Sequence, residues 1–175
     1  MNLPNWWEAP STLLETEGHC GLLAAWMVLK HFRKRVSARS VTQGCRHTQL
    51  HGVFSVALAT CLKLHGLEVA FHTDPDPNIG PFENRCYARA TRLGILPRPA
   101  LELSALSSAL RRGHIPIALF NSESGAGHFS PVRTIRDGSV VLPLADGGKM
   151  PINRFLARWS EPGIHRQCIV AGPSL

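Results

Sequence analysis

The chain has 175 residues, 44% hydrophobic and 18% charged, a balance that fits one globular domain over 1–175 and excludes a disordered or fibrous chain. Lys and Arg outnumber Asp and Glu by 19 to 12, a formal net charge of +7 that favours anionic partners without naming one. The 5 cysteines, at 20, 45, 61, 86 and 168, have no Cys-x-x-Cys spacing, which argues against a disulfide framework or a zinc ribbon and for free thiols.

The first stretch, MNLPNWWEAP, lacks the basic start and apolar centre of a secretory signal, so the expected location is cytoplasmic, with a signal-less secretion route left open. Trp6 and Trp7 read as a pair that pins this segment to the core. From His19 to Arg33 the sequence predicts a helix that is apolar nearly all round, at Leu22, Leu23, Ala25, Trp26, Val28, Leu29 and Phe32, and such a helix belongs in the domain centre. Its apolar run is too short for a bilayer and is closed by Lys30, His31, Arg33, Lys34 and Arg35, so no membrane partner is expected. Cations at a helix C-terminus also complement the dipole, as Arg111 and Arg112 do further on.

The run GCRHTQLH offers Cys45, His47 and His51, with Cys61 or His65 beyond, but these spacings do not match a structural zinc site; neither metal nor cofactor is expected. A second helix is predicted from Gly52 to Leu64, stopped by Gly66 and followed by the strand LEVAFHT. DPDPNIGPFEN reads as a surface loop, and ENRCYARATRLG and LSALSSALRRG as helices ended by glycine. The second half changes character. HIPIALF, HFSPVRTI and SVVLPLA are β-type runs, the last two joined by the hairpin signal RDG, and PINRFLARW then predicts a short helix with Pro151 in its first turn before a final strand, RQCIVAG. Helices first and an antiparallel sheet after them make an α+β layout.

Cys20 stands at the mouth of the central helix, where the macrodipole and unpaired N–H groups favour a thiolate. Nucleophilic cysteine catalysis also needs an imidazole to carry the proton and a group to hold that imidazole. His128 follows the flexible SESGAG, Asp146 lies in the turn ADGG, and a hairpin at RDG would bring the two to one end of the sheet. His19, beside Cys20, diverges from it and reads as a contact residue. EGHCG is not a nucleophile elbow, because Leu22 stands where the second glycine would be needed.

The ordered set of CG on a buried helix, RRGHIPIALF, GHFSPVRTIRDGSVVLPLADGG and FLARW resembles the papain-like cysteine peptidases of the bacteriocin-processing, double-glycine-cleaving type and their stand-alone relatives, over most of the chain. The resemblance implies a papain-like cysteine peptidase fold, with N-terminal helices packed on a C-terminal antiparallel sheet. It also implies a thiol-dependent hydrolase or acyl transferase that acts on a peptide or protein substrate, with Cys20 as nucleophile, His128 as base and Asp146 as the residue orienting it. One departure bears on activity: the family's oxyanion glutamine, six residues before the cysteine, is Leu14 here, and leucine cannot donate. Thr16 is an alternative donor, and Leu14, Thr16, His19 and Gly127 are the expected oxyanion or substrate contacts. Two smaller departures are His19, where the family has an acid, and Gly147, where it has a proline. The rival readings are a papain-fold binding module with weak or no activity, a deamidase or transpeptidase with the same triad, and a salt-sensitive nucleic-acid binder, although no nucleic-acid motif is present.

Overall fold

The computed structural model describes residues 3–174. A 3-10 turn at Trp6–Glu8 leads into α1 (Ser11–Leu14) and then α2 (Cys20–His31), in which every residue from Gly21 to Leu29 is buried. An all-round apolar helix must be covered on every side. Helix α2 is enclosed by α1, by α3 (Ala38–Gly44) and α4 (Ser55–Leu64), and by β4 (Gly127–Pro131). The chain continues through β1 (Leu67–Thr73), α5 (Pro81–Arg92), β2 (Pro97–Pro99), α6 (Leu103–Arg111) and β3 (Ile115–Asn121) before β4. After β4 come β5 (Thr134–Arg136), β6 (Ser139–Val141), a 3-10 turn at Asp146–Gly148, β7 (Lys149–Pro151), α7 (Ile152–Trp159) and β8 (Cys168–Pro173).

The strands form a 5-stranded sheet ordered β2-β1-β8-β3-β4, antiparallel except for the β1–β2 pair, and a 3-stranded antiparallel sheet ordered β5-β6-β7. Period-2 alternation gives the larger sheet two different faces. Ile115, Ile117, Ile169 and Ala171 join the core built on α2 and α4, while Ala118, Phe120 and Cys168 join a second core with Leu106, Val140, Phe155 and Trp159. The α+β layout is as expected; the second core under α6, α7 and the small sheet adds a layer. It also explains why IPIALF is apolar without interruption, since both faces of β3 are covered.

Several element boundaries differ from the sequence expectation, each for a local reason. Helix α3 was not anticipated because its capping box is Ser-x-x-Ser: Ser40 N–H donates to Ser37 Oγ at 3.1 Å, and Ser37 N–H donates to Ser40 Oγ at 3.2 Å. Helix α4 starts at Ser55 rather than Gly52, whose φ of +62° is not helical. Helix α5 begins at Pro81, inside the expected loop, because proline suits a first helical turn. The RDG hairpin forms, with positive φ at Asp137 and Gly138, but the run 128–135 is split between the two sheets: β4 ends at Pro131, which has no N–H to extend a ladder. The run 139–145 ends at Val141, ahead of Pro143, and Pro151 precedes α7 as its cap residue after closing the unanticipated β7. Among the described residues no helix is long and apolar enough to cross a membrane.

Candidate active site

Cys20 is the first residue of α2, so its N–H has no acceptor within the helix and lies at the positive end of the dipole. The glycine after it is set by packing. A Cβ on Gly21 would lie 2.8 Å from Val53 Cβ and 3.2 Å from Phe129 Cδ2, so only glycine lets α2 approach β4 closely enough to carry Cys20 to its edge. Across that junction stands His128, the second residue of β4, paired with Phe120 of β3 and set edge-on to its ring at 5.6 Å.

The two groups perturb each other. Burial acts to raise the Cys20 pKa, but the His128 hydrogen bond and charge outweigh it, with help from the Phe129 and Gly21 backbone, and the thiol is held below its ordinary range. Burial likewise acts to lower His128, and is outweighed by the hydrogen bond and charge of Cys20, the Leu144 carbonyl and, last, the Asp146 charge, so the ring is held above its ordinary range. A thiolate and an imidazolium favour one another in this way.

The His128 ring is fixed by a backbone group. Nε2–H donates to the Leu144 carbonyl at 2.6 Å, which leaves Nδ1 as the nitrogen available to the thiol. Leu144 is in turn anchored by its own N–H, which donates at 3.1 Å to Oγ of the wholly buried Ser130. Residues 128 and 130 share one face of β4, so a single strand face supplies the imidazole and clamps its acceptor. Sequence reasoning missed both Ser130 and Leu144; the available signal was a hydroxyl two residues after the histidine, on the same strand face.

Asp146 sits in the exposed 3-10 turn between β6 and β7 and lines one cavity, of about 480 Å³, together with Cys20 and His128. Its carboxylate makes no hydrogen bond to the ring; it acts on His128 only through charge. The ring is held by the Leu144 carbonyl and not by the carboxylate expected to orient it. His19 lines the same cavity: its Nδ1–H donates to the Thr16 carbonyl at 2.7 Å, leaving Nε2 unengaged. Gly127 opens β4 on the other side of Cys20, on a second cavity of about 390 Å³. Leu14 and Thr16 line neither cavity. Leu14 packs against the core, and the Thr16 hydroxyl donates to the Thr12 carbonyl at 2.7 Å. The histidine-rich run is dispersed, with His47 against the Glu17 carbonyl, His51 stacked on Phe82 and Cys45 buried beside Cys61.

No family model and no curated protein sequence matches the chain. Solved structures do, among them the following three. A double glycine motif protease from an AMS/PCAT transporter, crystallised with its leader peptide, superimposes with a TM-score of 0.58 at 17% identity, covering 91% of this chain and 88% of its own. The peptidase domain of Streptococcus ComA, a bifunctional ABC transporter of a quorum sensing pathway, gives 0.53 at 13% identity, covering 89% and 91%. A protein described as a C39-like peptidase from Bacillus anthracis gives 0.64 at 13% identity, covering 99% and 96%. The chain has their fold. That papain-like architecture, with helices on an antiparallel-rich sheet, is the one the sequence resemblance implied, and at these identities the likeness is one of fold.

Proposed function

We propose that this chain is a cysteine peptidase-like enzyme that opens a peptide or amide bond through a thioester on Cys20. The observation that carries the reading is the meeting of Cys20 and His128 on one cavity, with the ring fixed by the Leu144 carbonyl; against the opposing influence of burial, each holds the other's pKa towards the charged form. The Leu144 carbonyl keeps the proton of the neutral ring on Nε2, so the Nδ1 lone pair receives the thiol proton. The thiolate attacks the substrate carbonyl, the oxyanion forms beside the N–H of Cys20 at the head of α2, and the imidazolium returns its proton to the leaving amine. Water then hydrolyses the thioester with His128 as base. Asp146 stabilises the imidazolium by charge.

A peptide substrate is supported by the structural neighbour that is complexed with a leader peptide. The same intermediate would serve deamidation or transpeptidation, since only the second nucleophile differs. A second reading, a fold kept for binding, is favoured by Leu14: the sequence has no amide donor at that position, and the leucine packs against the core away from both cavities that Cys20 lines. His19 Nε2, on the cavity shared with Cys20, is the group we assign to meet the substrate there. Iodoacetamide labelling of the native protein at pH 6, set against His128→Ala, separates the readings. An enzyme loses its rapid Cys20 labelling in the variant; equal labelling of both overturns the catalytic reading.

A further inference from the structure

The cavity of about 390 Å³ shares Cys20 with the catalytic cavity but belongs to a different part of the chemistry. His128 delivers the proton to the leaving amine, and His128 lines the 480 Å³ cavity and not this one. The departing half of a substrate therefore lies with His128, and the acyl half, which remains on sulfur, extends into the second cavity.

Several polar groups there have no partner among the described residues. Glu83, on the first turn of α5, is 9% exposed, lines the cavity, and has no hydrogen bond or ion pair among the described residues. A first-turn acid complements the dipole of α5, which accounts for a glutamate in the sequence but not for its burial. A largely desolvated carboxylate that opens onto a cavity without a partner costs free energy that a cation in the cavity would offset. Gln167, 5% exposed, also lines the cavity with its side-chain amide unengaged, and the buried Ser55 hydroxyl is unpartnered. Asp76 completes the set: its Oδ1 accepts from Asn78 N–H at 2.8 Å and faces His165 Nε2 at 3.5 Å, and its other oxygen makes no hydrogen bond. The nearby cations are otherwise engaged. Arg46 and Arg85 lie over the Phe82 ring at 5.1 and 5.3 Å and line no part of the cavity, and His51, which does line it, is stacked on Phe82.

The wall is also rigidly held. Arg166 makes a two-pronged contact with Asp74, both bonds 2.7 Å, and Asp74 N–H donates to the His165 carbonyl at 2.7 Å, so the loop carrying Asp76 is clamped to the segment that presents Gln167. His165 and Arg166 adopt left-handed φ values of 53° and 45° in that segment, a cost tolerated where the surroundings enforce the conformation.

We propose that this cavity is a specificity pocket that takes a basic side chain, arginine or lysine, from the acyl half of the substrate, with Glu83 and Asp76 as counter-charges and Gln167 and Ser55 as hydrogen-bond partners. The assignment of its acyl side rests on Cys20 being the nucleophile. Peptide chloromethyl ketones fix the register, because the ketone carbon takes the place of the scissile carbonyl. The test compares arginine with its neutral isostere citrulline at each of the first three acyl-side positions, by the rate of Cys20 alkylation at pH 9, where an ordinary thiol also ionises. At one position the arginine reagent should react about tenfold or more faster, the scale of a charge-assisted hydrogen bond. In Glu83→Gln that ratio should approach one, and in Asp76→Asn it should fall part of the way. Equal rates for arginine and citrulline at all three positions overturn the proposal, as does a ratio left intact in both variants; if Glu83→Gln fails to fold, Asp76→Asn decides. Slow iodoacetamide labelling of the wild type at pH 6 would instead overturn the nucleophile reading, while the arginine-to-citrulline ratio still reports on the pocket.

Discussion

Cys20 and Cys168 carry the same thiol in two regions of the molecule that treat it in opposite ways. Cys168 begins β8, the middle strand of the larger sheet, where burial pushes its pKa up to about 12 and a backbone hydrogen bond at Ile117 offsets only part of that. At Cys20 burial is again the largest influence and again raises the pKa, yet the thiol ends below its ordinary range because His128 and the backbone at Phe129 and Gly21 act against it. Burial by default makes a thiol inert. The lowered thiol pKa here comes from an imidazole carried to a helix head by the packing of α2 on β4.

The largest expected effect breaks this comparison at His128. His128→Ala should lower peptide hydrolysis by about a hundred- to ten-thousandfold, the range of a positioned acid–base group, and should slow the alkylation of Cys20 towards that of the buried Cys168, without reaching it because Cys20 still lines both cavities. Mass spectrometry after labelling measures both thiols in one sample. The reciprocal experiment follows the ring. His128 is held above its ordinary range by Cys20 although burial opposes this, so Cys20→Ala should move its titration, read by NMR, to lower pH. An unchanged midpoint would contradict the pairing. The same signs set the pH dependence: because the Cys20 pKa is lowered, hydrolysis should rise with pH starting below the ordinary thiol range, and the Cys20 labelling profile of His128→Ala should move to higher pH.

Intermediate effects lie in the supports. Gly21→Ala drives a methyl against Val53 and Phe129 and should cost about 1–3 kcal/mol in urea unfolding while slowing Cys20 labelling, because the junction of α2 and β4 must open. Ser130→Ala leaves the Leu144 N–H without its acceptor, at a cost of about 1–3 kcal/mol, and should reduce the turnover rate more than substrate affinity, because Leu144 positions the ring. Asp146→Asn removes an exposed charge and no hydrogen bond, so hydrolysis should fall by less than about tenfold, with the His128 titration shifted slightly down. A fall as large as that of His128→Ala would mean that the carboxylate, and not the Leu144 carbonyl, holds the ring. The smallest effect belongs to Cys168→Ala, which should leave the rate of Cys20 labelling unchanged.

Periodic segments were readable in the chain itself. The central helix, the strand 67–73 and the helix at 103–111 follow directly from apolar spacing and glycine stops, because their buried faces repeat with the period of the element. The segments that escaped, α1, α3, β2 and β7, have 4, 7, 3 and 3 residues, too few for a period to register; the two strands owe their form to neighbours, β2 to the edge of β1 and β7 to β6. At the site, Cys20 and His128 stood out by residue type and order. Leu144 did not, since a backbone carbonyl has no signature in the side chain that bears it, and Ser130 looked like any small residue in a strand.

Composition, apolar period and the order of cysteine, histidine and hairpin determined by themselves that an all-apolar helix would be central, that strands would follow helices, and which thiol stood at a helix head. Those properties are local: each depends on residues within a few turns or a single strand. Which group holds the imidazole, which cysteine has its pKa lowered by a histidine and which carboxylates share a cavity with it were decided only when the elements packed together. Hydrogen bonds and Coulomb interactions act over a few ångströms, and residues separated by a hundred positions come that close only in the folded chain.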